Sequence, residues 1–393
     1  MINISGVSEA RVAPVVAHIT KEESQSIIIV PNIIRGQRLA GDLSFFVKDK
    51  KIMVLPEDEQ VFLKYDARNQ DRLIERMKVL KVLRTGEPVI VIAPISAAIK
   101  KITPHKTFEE NVTKVNLGEE IEIEELREKL VSMGYEYSVM VDGHGQFSSR
   151  GGIIDIFTPD ADYPYRIEFF GNEIDSIRTF NLDTQRSIEN LKYIEIYPAQ
   201  QIAASGDAFS KACALIAKEY EKQAKKVEET SPETADKLRK VSAQTCDYIE
   251  NVSNMQLLEN YVHYFYPETE YLWDYMEKGN VLLDDPERIF ELLELREKEL
   301  KEDFKVLLER GDVIPKDARL IGGFNDIRPV LSRKSTVIFT PFPKRVIGID
   351  TFDKIHNVNS RQMINFAGNL TLLESELKTY VKKGYSITIV ANS

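Results

Sequence analysis

Residues 145–188 read GQFSSRGGIIDIFTPDADYPYRIEFFGNEIDSIRTFNLDTQRSI. Apolar and polar residues alternate there in short runs, the pattern of strands with one buried face. Gly-Gly at 151–152 indicates a bulge or a close backbone approach, and Gly-Asn at 171–172 fits a tight hairpin. A helical pattern at 123–134 and an alternating run, YEYSVMV at 135–141, precede the block. Together these segments predict an α+β module of one helix and short strands.

The flanking segments predict a different architecture. Continuous apolar runs at 26–31, 51–56 and 88–94 alternate with amphipathic helical patterns. Helical patterns fill most of 208–260, and VLLDDPERIF at 281–290 joins another apolar run to a long helix. Continuous apolar strands separated by helices are typical of a parallel sheet that is covered on both faces. The flanking segments are therefore predicted to form an α/β domain.

The chain is long for a single core and is predicted to contain three units. We expect residues 1–113 and 199–330 to form the parallel-sheet domain, because the strand-rich module, 114–198, interrupts it. Residues 331–393 are expected to begin a small third α/β domain. The sequence stops directly after an apolar run, so we expect this last domain to be truncated.

Composition limits the class of protein. The 393 residues are 43% hydrophobic and 29% charged, with a formal net charge of −10. This acidic balance argues against a dedicated nucleic-acid binder, because phosphate contacts need an excess of Lys and Arg. Two cysteines and five scattered histidines show no ligand spacing, so no metal site is predicted. With no membrane-length apolar run and no signal-peptide pattern, we expect a cytoplasmic protein without a membrane partner.

The loop GVSEARVA near the N-terminus has the length and position of a phosphate-binding loop, G-x-x-x-x-G-K-[ST]. Gly6 is in place. Arg11, Val12 and Ala13 replace the second glycine, the lysine and the hydroxyl residue, and Glu9 would repel phosphate. On the residues alone, a plain turn before a helix is favoured, and the remains of a nucleotide site are the alternative.

The second candidate for a nucleotide site is VLLDDPER, an apolar run that ends in two acids as a Walker B strand does. Asp284 could hold magnesium there, whereas Asp285 could only poorly polarise a water molecule. The favoured alternative is that Asp285 caps the following helix, with Pro286 at its first position and Glu287 near its positive end.

Three residues of the strand-rich block are candidate interface residues: Arg150, Arg166 and Phe170. Arginine and aromatic side chains are frequent anchors of protein interfaces. Spacing alone favours the alternative, in which the aromatic rings are core and the arginines are solvated. Acids such as Asp155 and Glu168 are interpreted as the polar face of the strands. No Ser/His/Asp or Cys/His constellation is visible in the sequence.

Three segments of the block carry a resemblance to a known family: GQFSSRGGIIDIF at 145–157, RIEFFGNEI at 166–174 and DTQRS at 183–187. They resemble the second domain shared by the excision-repair protein UvrB and the bacterial transcription-repair coupling factors, the Mfd family. VLLDDPER and the final segment, NFAGNLTLLESELKTYVKKGYSITIVANS, are similar to the coupling factors. UvrB differs, because it has an intact phosphate loop and a tyrosine-rich hairpin that clamps DNA.

The resemblance covers nearly the whole chain and implies the N-terminal, UvrB-like region of a coupling factor. The implied fold is a RecA-like parallel-sheet domain with a degenerate P-loop NTPase site, an inserted α+β UvrB-type domain and a partial α/β domain. It also implies a region that is not an enzyme and holds no cofactor, because ATP and Mg serve a DNA translocase motor elsewhere in the family's full-length protein.

The implied partner is UvrA, bound through Arg150, Arg166 and Phe170, which match the family's contact residues. The implied function is to recruit UvrA to RNA polymerase stalled at a lesion, with contacts to RNA polymerase and DNA made by other regions. One alternative is an ATP-dependent, DNA-binding repair enzyme of the UvrB type. Another is residual nucleotide binding, without hydrolysis, through Gly6 and backbone amides.

Overall fold

The computed structural model describes residues 1–393 with gaps at 8–10, 58–69, 205, 251–254, 321–322, 334, 344–345, 347, 350, 360–365, 367, 388 and 390–393. In chain order, the strands of the described part are β1 Ile2–Ser5, β2 Gln25–Val30, β3 Lys51–Val54, β4 Val89–Pro94, β5 Thr113–Asn116, β6 Glu136–Tyr137, β7 Gln146–Arg150, β8 Ile153–Phe157, β9 Tyr165–Phe170, β10 Glu173–Phe180, β11 Ser187–Asn190, β12 Tyr193–Ile196, β13 Asn280–Asp284, β14 Ser335–Thr340 and β15 Lys354–Asn357.

The α-helices of the described part are α1 Val12–Ile19, α2 Ile33–Phe46, α3 Gln70–Thr85, α4 Ile95–Ala98, α5 His105–Glu110, α6 Ile123–Ser132, α7 Gly206–Val227, α8 Pro232–Glu250, α9 Val262–Phe265, α10 Pro286–Glu309, α11 Phe324–Arg333 and α12 Leu370–Lys382. Short 3-10 helices cover Met255–Tyr261, Leu272–Tyr275 and Asp317–Leu320. Within the described residues, no helix has both the length and the apolar character needed to cross a membrane.

Seven strands form one parallel sheet in the order β15-β1-β14-β13-β2-β4-β3. Every residue of β2 and β4 is buried, as expected for strands covered on both faces. Ile27 and Ile29 of β2 lie in an apolar cluster with α3 and α10. Ile28 and Val30 lie in a second cluster with α1 and α2 on the opposite face. The predicted α/β architecture with a doubly covered parallel sheet is confirmed.

The strand-rich segment forms a second sheet of six strands in the order β11-β10-β9-β8-β7-β6. Its neighbours are antiparallel except for β6 and β7. One face packs on α6, where Leu126 and Leu130 contact a cluster that includes Ile154, Ile167 and Ile177. The opposite face, which we call the outer face, is not covered by α6. The α+β character predicted for this segment is confirmed.

The strand-rich module leaves and rejoins the parallel-sheet domain at one place. Its first strand, β5, and its last, β12, pair antiparallel, with Val115 opposite Ile194. Both side chains are buried in the core of the module. Because entry and exit strands lie side by side, the module interrupts the larger domain without separating its parts.

The predicted boundary at residue 331 does not coincide with the edge of the parallel sheet. It falls inside α11, and β14 lies between β1 and β13, with β15 on the other side of β1. The partner strands of β14 lie more than 50 residues earlier in the chain or near the N-terminus, and local sequence patterns do not report such long-range pairing. In the described residues the parallel sheet therefore extends to Asn357, and the remaining domain limits stay a prediction.

Candidate functional site

The strand register brings Arg150, Arg166 and Phe170 to the outer face of the six-stranded sheet. Ile154 and Ile167 pair across β8 and β9, and both are fully buried against the α6 side. Successive side chains on a strand point to opposite faces, so Arg166 and Phe170 face away from α6. Arg150 follows the residue that pairs with Ile154, and it therefore lies on the outer face as well.

Arg166 is held in place by residues of the same module. Its Nε and Nη2 donate to the two carboxylate oxygens of Asp155 at 2.7 and 2.8 Å, and Nη2 also donates to Gln185 Oε1 at 2.9 Å. The guanidinium lies over the Phe180 ring, 4.3 Å from its centroid. The hydrogen bond to Asp155 raises the pKa of Arg166 above its usual value, against the effect of burial. Arg166 is thus a rigid, fully charged group.

Arg178 of β10 lies directly opposite Arg166, an arrangement in which like charges would repel. Its Nη1 donates to Glu168 Oε2 at 2.7 Å, and its Nη2 donates to the other carboxylate oxygen. Ser176 Oγ donates to Glu168 as well, at 2.8 Å. Arg178 and then Ser176 lower the pKa of the Glu168 carboxyl. Each arginine of the opposed pair therefore has its own carboxylate.

Arg150 differs from these two arginines. It is exposed, and its Nε and Nη2 donate to the backbone carbonyl of Val139 at 3.1 and 2.7 Å. Among the described residues it has no carboxylate partner. Its charge is therefore available to an acidic group outside this part of the chain.

Phe170 is the most exposed large apolar side chain of the described residues, at 81%. It ends β9, and Gly171, with φ +64°, begins the two-residue connection to Glu173, which pairs with Phe170. The hairpin predicted at Gly-Asn is thus present. The close backbone approach predicted at Gly-Gly occurs at Gly152, where an added Cβ would lie 2.9 Å from the Phe169 carbonyl oxygen.

In the segment GVSEARVA, which has the position of a phosphate-binding loop, Gly6 directly follows β1, and α1 begins at Val12. Gly6 has φ +81°, and a Cβ there would collide with the carbonyl oxygen of Val358. The Val358 amide in turn donates to Ser5 O at 2.8 Å. The backbone that follows β15 therefore covers the turn at Gly6.

The side chains at the lysine and hydroxyl positions of this loop point into the protein. Val12 and Ala13 are each 1% exposed and belong to the core beneath α1. Arg11 Nη1 donates to Gly6 O at 3.4 Å. Glu9 lies outside the described residues. Positions 12 and 13 therefore offer no polar side chain to a phosphate group.

Asp284, the last residue of β13, and Asp285, the residue that follows it, have separate hydrogen-bond partners. Asp284 Oδ2 accepts from Arg35 Nε at 2.5 Å, and both side chains are largely buried. Asp285 has φ +60° and caps α10, accepting from the Arg288 amide at 3.4 Å with Pro286 next to it. The predicted N-cap role of Asp285 is confirmed. The carboxylate that could hold magnesium is instead bonded to a guanidinium group.

Sequence reasoning missed two features of the outer face, the buried acid Asp155 and the second arginine Arg178, and also the exposed residue Val139 in the loop between β6 and β7. Asp155 and Glu168 were interpreted as an ordinary polar face, yet each holds one arginine. The alternation of polar and apolar residues along the strands indicated that these acids and arginines share one face of the sheet. The pairing of individual charges depends on strand register, which that alternation does not supply.

Residues 113–202 match the UvrB interaction domain family. The whole chain is similar to curated proteins described as transcription-repair-coupling factors. That of Bacillus subtilis (strain 168) is 30% identical over 393 residues, covering 98% of this chain and 33% of the relative. That of Staphylococcus epidermidis (strain ATCC 12228) is 25% identical over 394 residues, covering 100% of this chain and 33% of the relative.

The chain thus spans about a third of the length of these relatives. The UvrB interaction domain match begins with β5 and ends beyond β12, so it includes the six-stranded sheet and its outer face. The chain therefore carries a UvrB interaction domain at residues 113–202 and matches, over its whole length, the N-terminal region of the transcription-repair-coupling factors.

Proposed function

We propose that this chain is a non-catalytic UvrB-homology module that recruits UvrA to lesion-stalled RNA polymerase in nucleotide excision repair. The observation that carries the proposal is Phe170, an 81% exposed aromatic ring on the same sheet face as three arginines. The match to the UvrB interaction domain and the names of the relatives support it. RNA polymerase and DNA would be contacted by other regions, and the module would act in the cytoplasm.

The outer face has the physical features of a protein-binding site. An exposed aromatic ring can fill an apolar pocket of a partner, and such buried aromatic anchors contribute much of the energy of an interface. Arg166 and Arg178 are fixed by their carboxylates and lose little side-chain entropy on association. Arg150 adds a charge that a partner carboxylate can pair with. Together they favour an acidic partner surface with an apolar pocket.

We further propose that the turn at Gly6 is the remains of a phosphate loop. Three observations support this interpretation: the strand–turn–helix arrangement, the buried Val12 and Ala13 at the positions of lysine and hydroxyl, and the Arg35–Asp284 pair at the end of β13. Without a lysine on the outer phosphates or a hydroxyl on magnesium, hydrolysis has no catalytic group. ATP and Mg would then serve only a motor in another region of the full-length protein.

Binding to immobilised UvrA tests the partner assignment. We expect the chain to bind, and the Arg150→Ala and Phe170→Ala variants to bind at least about tenfold more weakly, since truncation of a hot-spot residue costs about 2 kcal/mol or more and about 1.4 kcal/mol already corresponds to tenfold. Arg127→Ala is the matched control, because Arg127 is a partly exposed arginine on α6, away from the outer face. Equal affinities of all three variants and the unchanged chain would refute the site.

The rival function is an ATP-dependent, DNA-binding enzyme of the UvrB type. It predicts ATP hydrolysis that increases when DNA is added, whereas our proposal predicts none above background. A calorimetric titration with ATP separates a third possibility, nucleotide binding without hydrolysis, for which heat of binding would appear without turnover.

A further inference from the structure

A second exposed apolar group lies on the module beside Arg150. Val139 is 76% exposed and Met140 53% exposed, in the loop between β6 and β7. Among the described residues, Phe170 and Val139 are the two most exposed large apolar side chains of all. Both belong to the same module, at residues 113–202. Exposed apolar side chains that cluster in this way mark interaction surfaces.

The loop that carries Val139 and Met140 is fixed by hydrogen bonds. The Ser138 amide donates to Phe147 O at 2.8 Å, and Ser138 Oγ donates to Met140 O at 2.8 Å. The Asp142 amide donates to Gln146 Oε1 at 3.0 Å, at the far end of the loop. These bonds hold both apolar side chains out toward solvent in a defined arrangement.

Arg150 provides the central hydrogen bonds of this arrangement. Two of its N–H groups converge on the single carbonyl oxygen of Val139. Arg150 is therefore bonded to the backbone of the most exposed apolar residue of the loop. It lies on β7, two strands from Phe170 on β9, which corresponds to about 10 Å across the sheet.

We propose that Val139 and Met140 form a second apolar contact of the UvrA-binding surface, and that Arg150 is the positioning residue that holds this contact in place. This inference rests on the proposed function. The occupant is the same UvrA surface that receives Phe170, since the two apolar groups flank Arg150 on one module. The matching surface of UvrA would offer two apolar depressions separated by a carboxylate that faces Arg150.

Polar substitutions in the loop test the contact. We expect the double variant Val139→Ser/Met140→Ser to bind UvrA about tenfold or more weakly than the unchanged chain, as for other interface anchors. Val131→Ser is the matched control: Val131 is 49% exposed on α6, away from the outer face. Its affinity is expected to change by less than about twofold.

Two outcomes overturn the inference in distinguishable ways. If Phe170→Ala weakens binding and the Val139→Ser/Met140→Ser variant binds like the unchanged chain, the second contact is absent and the proposed function survives. If the unchanged chain does not bind UvrA, both the function and the inference fail. Circular dichroism and urea unfolding of each variant verify that a loss of affinity is not a loss of folding.

A double-mutant cycle tests the positioning role of Arg150. Arg150→Lys keeps the charge but replaces the planar fork that places two donors on the Val139 carbonyl. We expect Arg150→Lys to weaken binding severalfold in the unchanged chain and to have little further effect in the Val139→Ser/Met140→Ser background. Faster amide exchange at residues 138–142 should accompany the lysine variant. Full additivity of the two changes would show that Arg150 acts independently of the loop.

Discussion

At the end of β13 the carboxylate of Asp284 is held by Arg35, and beside β1 the backbone of Val358 covers Gly6. On the outer face of the six-stranded sheet, by contrast, Phe170 extends into solvent, as does Val139 in the loop between β6 and β7. The first region satisfies its polar groups within the chain. The second region pairs Arg166 and Arg178 with carboxylates and leaves the apolar side chains of Phe170 and Val139 exposed. Under the proposed function, the first region has lost its ligand and contributes to stability, whereas the second region binds a partner and therefore keeps apolar surface uncovered.

This contrast predicts that substitutions in the two regions affect different quantities. Changes near Gly6 and at the carboxyl end of β13 should lower the free energy of unfolding and leave UvrA affinity unchanged. Changes on the outer face should lower UvrA affinity and leave stability nearly unchanged. A substitution that moves both quantities together would break the distinction.

The largest expected effect is on stability and concerns the Arg35–Asp284 pair at the carboxyl end of β13. Asp284→Ala leaves the Arg35 guanidinium largely buried without this carboxylate, so we expect the free energy of unfolding to fall by about 3 kcal/mol. Urea unfolding followed by circular dichroism measures the change, and UvrA affinity is the control. A loss below about 0.5 kcal/mol, the scale of surface substitutions, would contradict the stabilising role of the pair.

The second effect is on binding. Phe170→Ala should reduce UvrA affinity about 10- to 100-fold, or about 1.4 to 2.8 kcal/mol, because the ring is an exposed anchor. The free energy of unfolding should change by less than about 0.5 kcal/mol, since 81% of the side chain is exposed in the free protein. Val131→Ala on α6, a half-exposed apolar residue away from the outer face, is the control. A stability loss equal to the affinity loss would assign Phe170 to the core.

The third effect is on stability, through the N-cap of α10. Asp285→Ala should cost about 1 kcal/mol of stability through the lost cap, with an added penalty because Asp285 has φ +60°. Asp285→Gly should cost less, because glycine takes this backbone conformation readily. Urea unfolding distinguishes the two variants. If Asp285→Gly lowered the free energy of unfolding as much as Asp285→Ala, the positive φ would contribute nothing to the cost of the alanine variant.

The smallest effect is the pH dependence of the Arg178–Glu168 pair. The pKa of Glu168 is lowered in the folded protein, so the folded state favours the ionised carboxyl. The resulting stability is present above the unfolded pKa of about 4.3 and is lost as pH falls through the folded value. The pair is partly exposed, so we expect less than about 1 kcal/mol.

Comparison with Glu168→Gln isolates that contribution. The difference in free energy of unfolding between the two proteins should be largest near neutral pH and should shrink below about pH 4. A difference that grows on acidification would have the wrong sign for a carboxyl whose pKa is lowered by Arg178.

Sequence patterns predicted the two architectures because periodicity reports how many faces of a strand are buried. The continuous apolar run of β2 indicated a covered strand, and the alternation in residues 165–170 indicated a half-covered one. Local chemistry also predicted the cap at Asp285, since N-cap, Pro and Glu are consecutive in sequence. Patterns that act within one turn or one strand were sufficient for these features.

Features that depend on distant partners could not be predicted in this way. YEYSVMV was interpreted as a strand over 135–141, but only Glu136–Tyr137 pairs with β7, and the Val139 carbonyl accepts from the Arg150 side chain instead of from a strand. The place of β14 between β1 and β13 and the pairing of Asp155 with Arg166 also depend on long-range register. The shared role of the three outer-face residues came from the family resemblance and remains a proposal.

Calorimetric titration of UvrA with the unchanged chain tests the central claim most directly, with DNA-stimulated ATP hydrolysis by the chain measured on the same preparation. Our account predicts saturable binding to UvrA and no hydrolysis above background with or without DNA. Absence of binding to UvrA, together with ATP hydrolysis that rises when DNA is added, would contradict it.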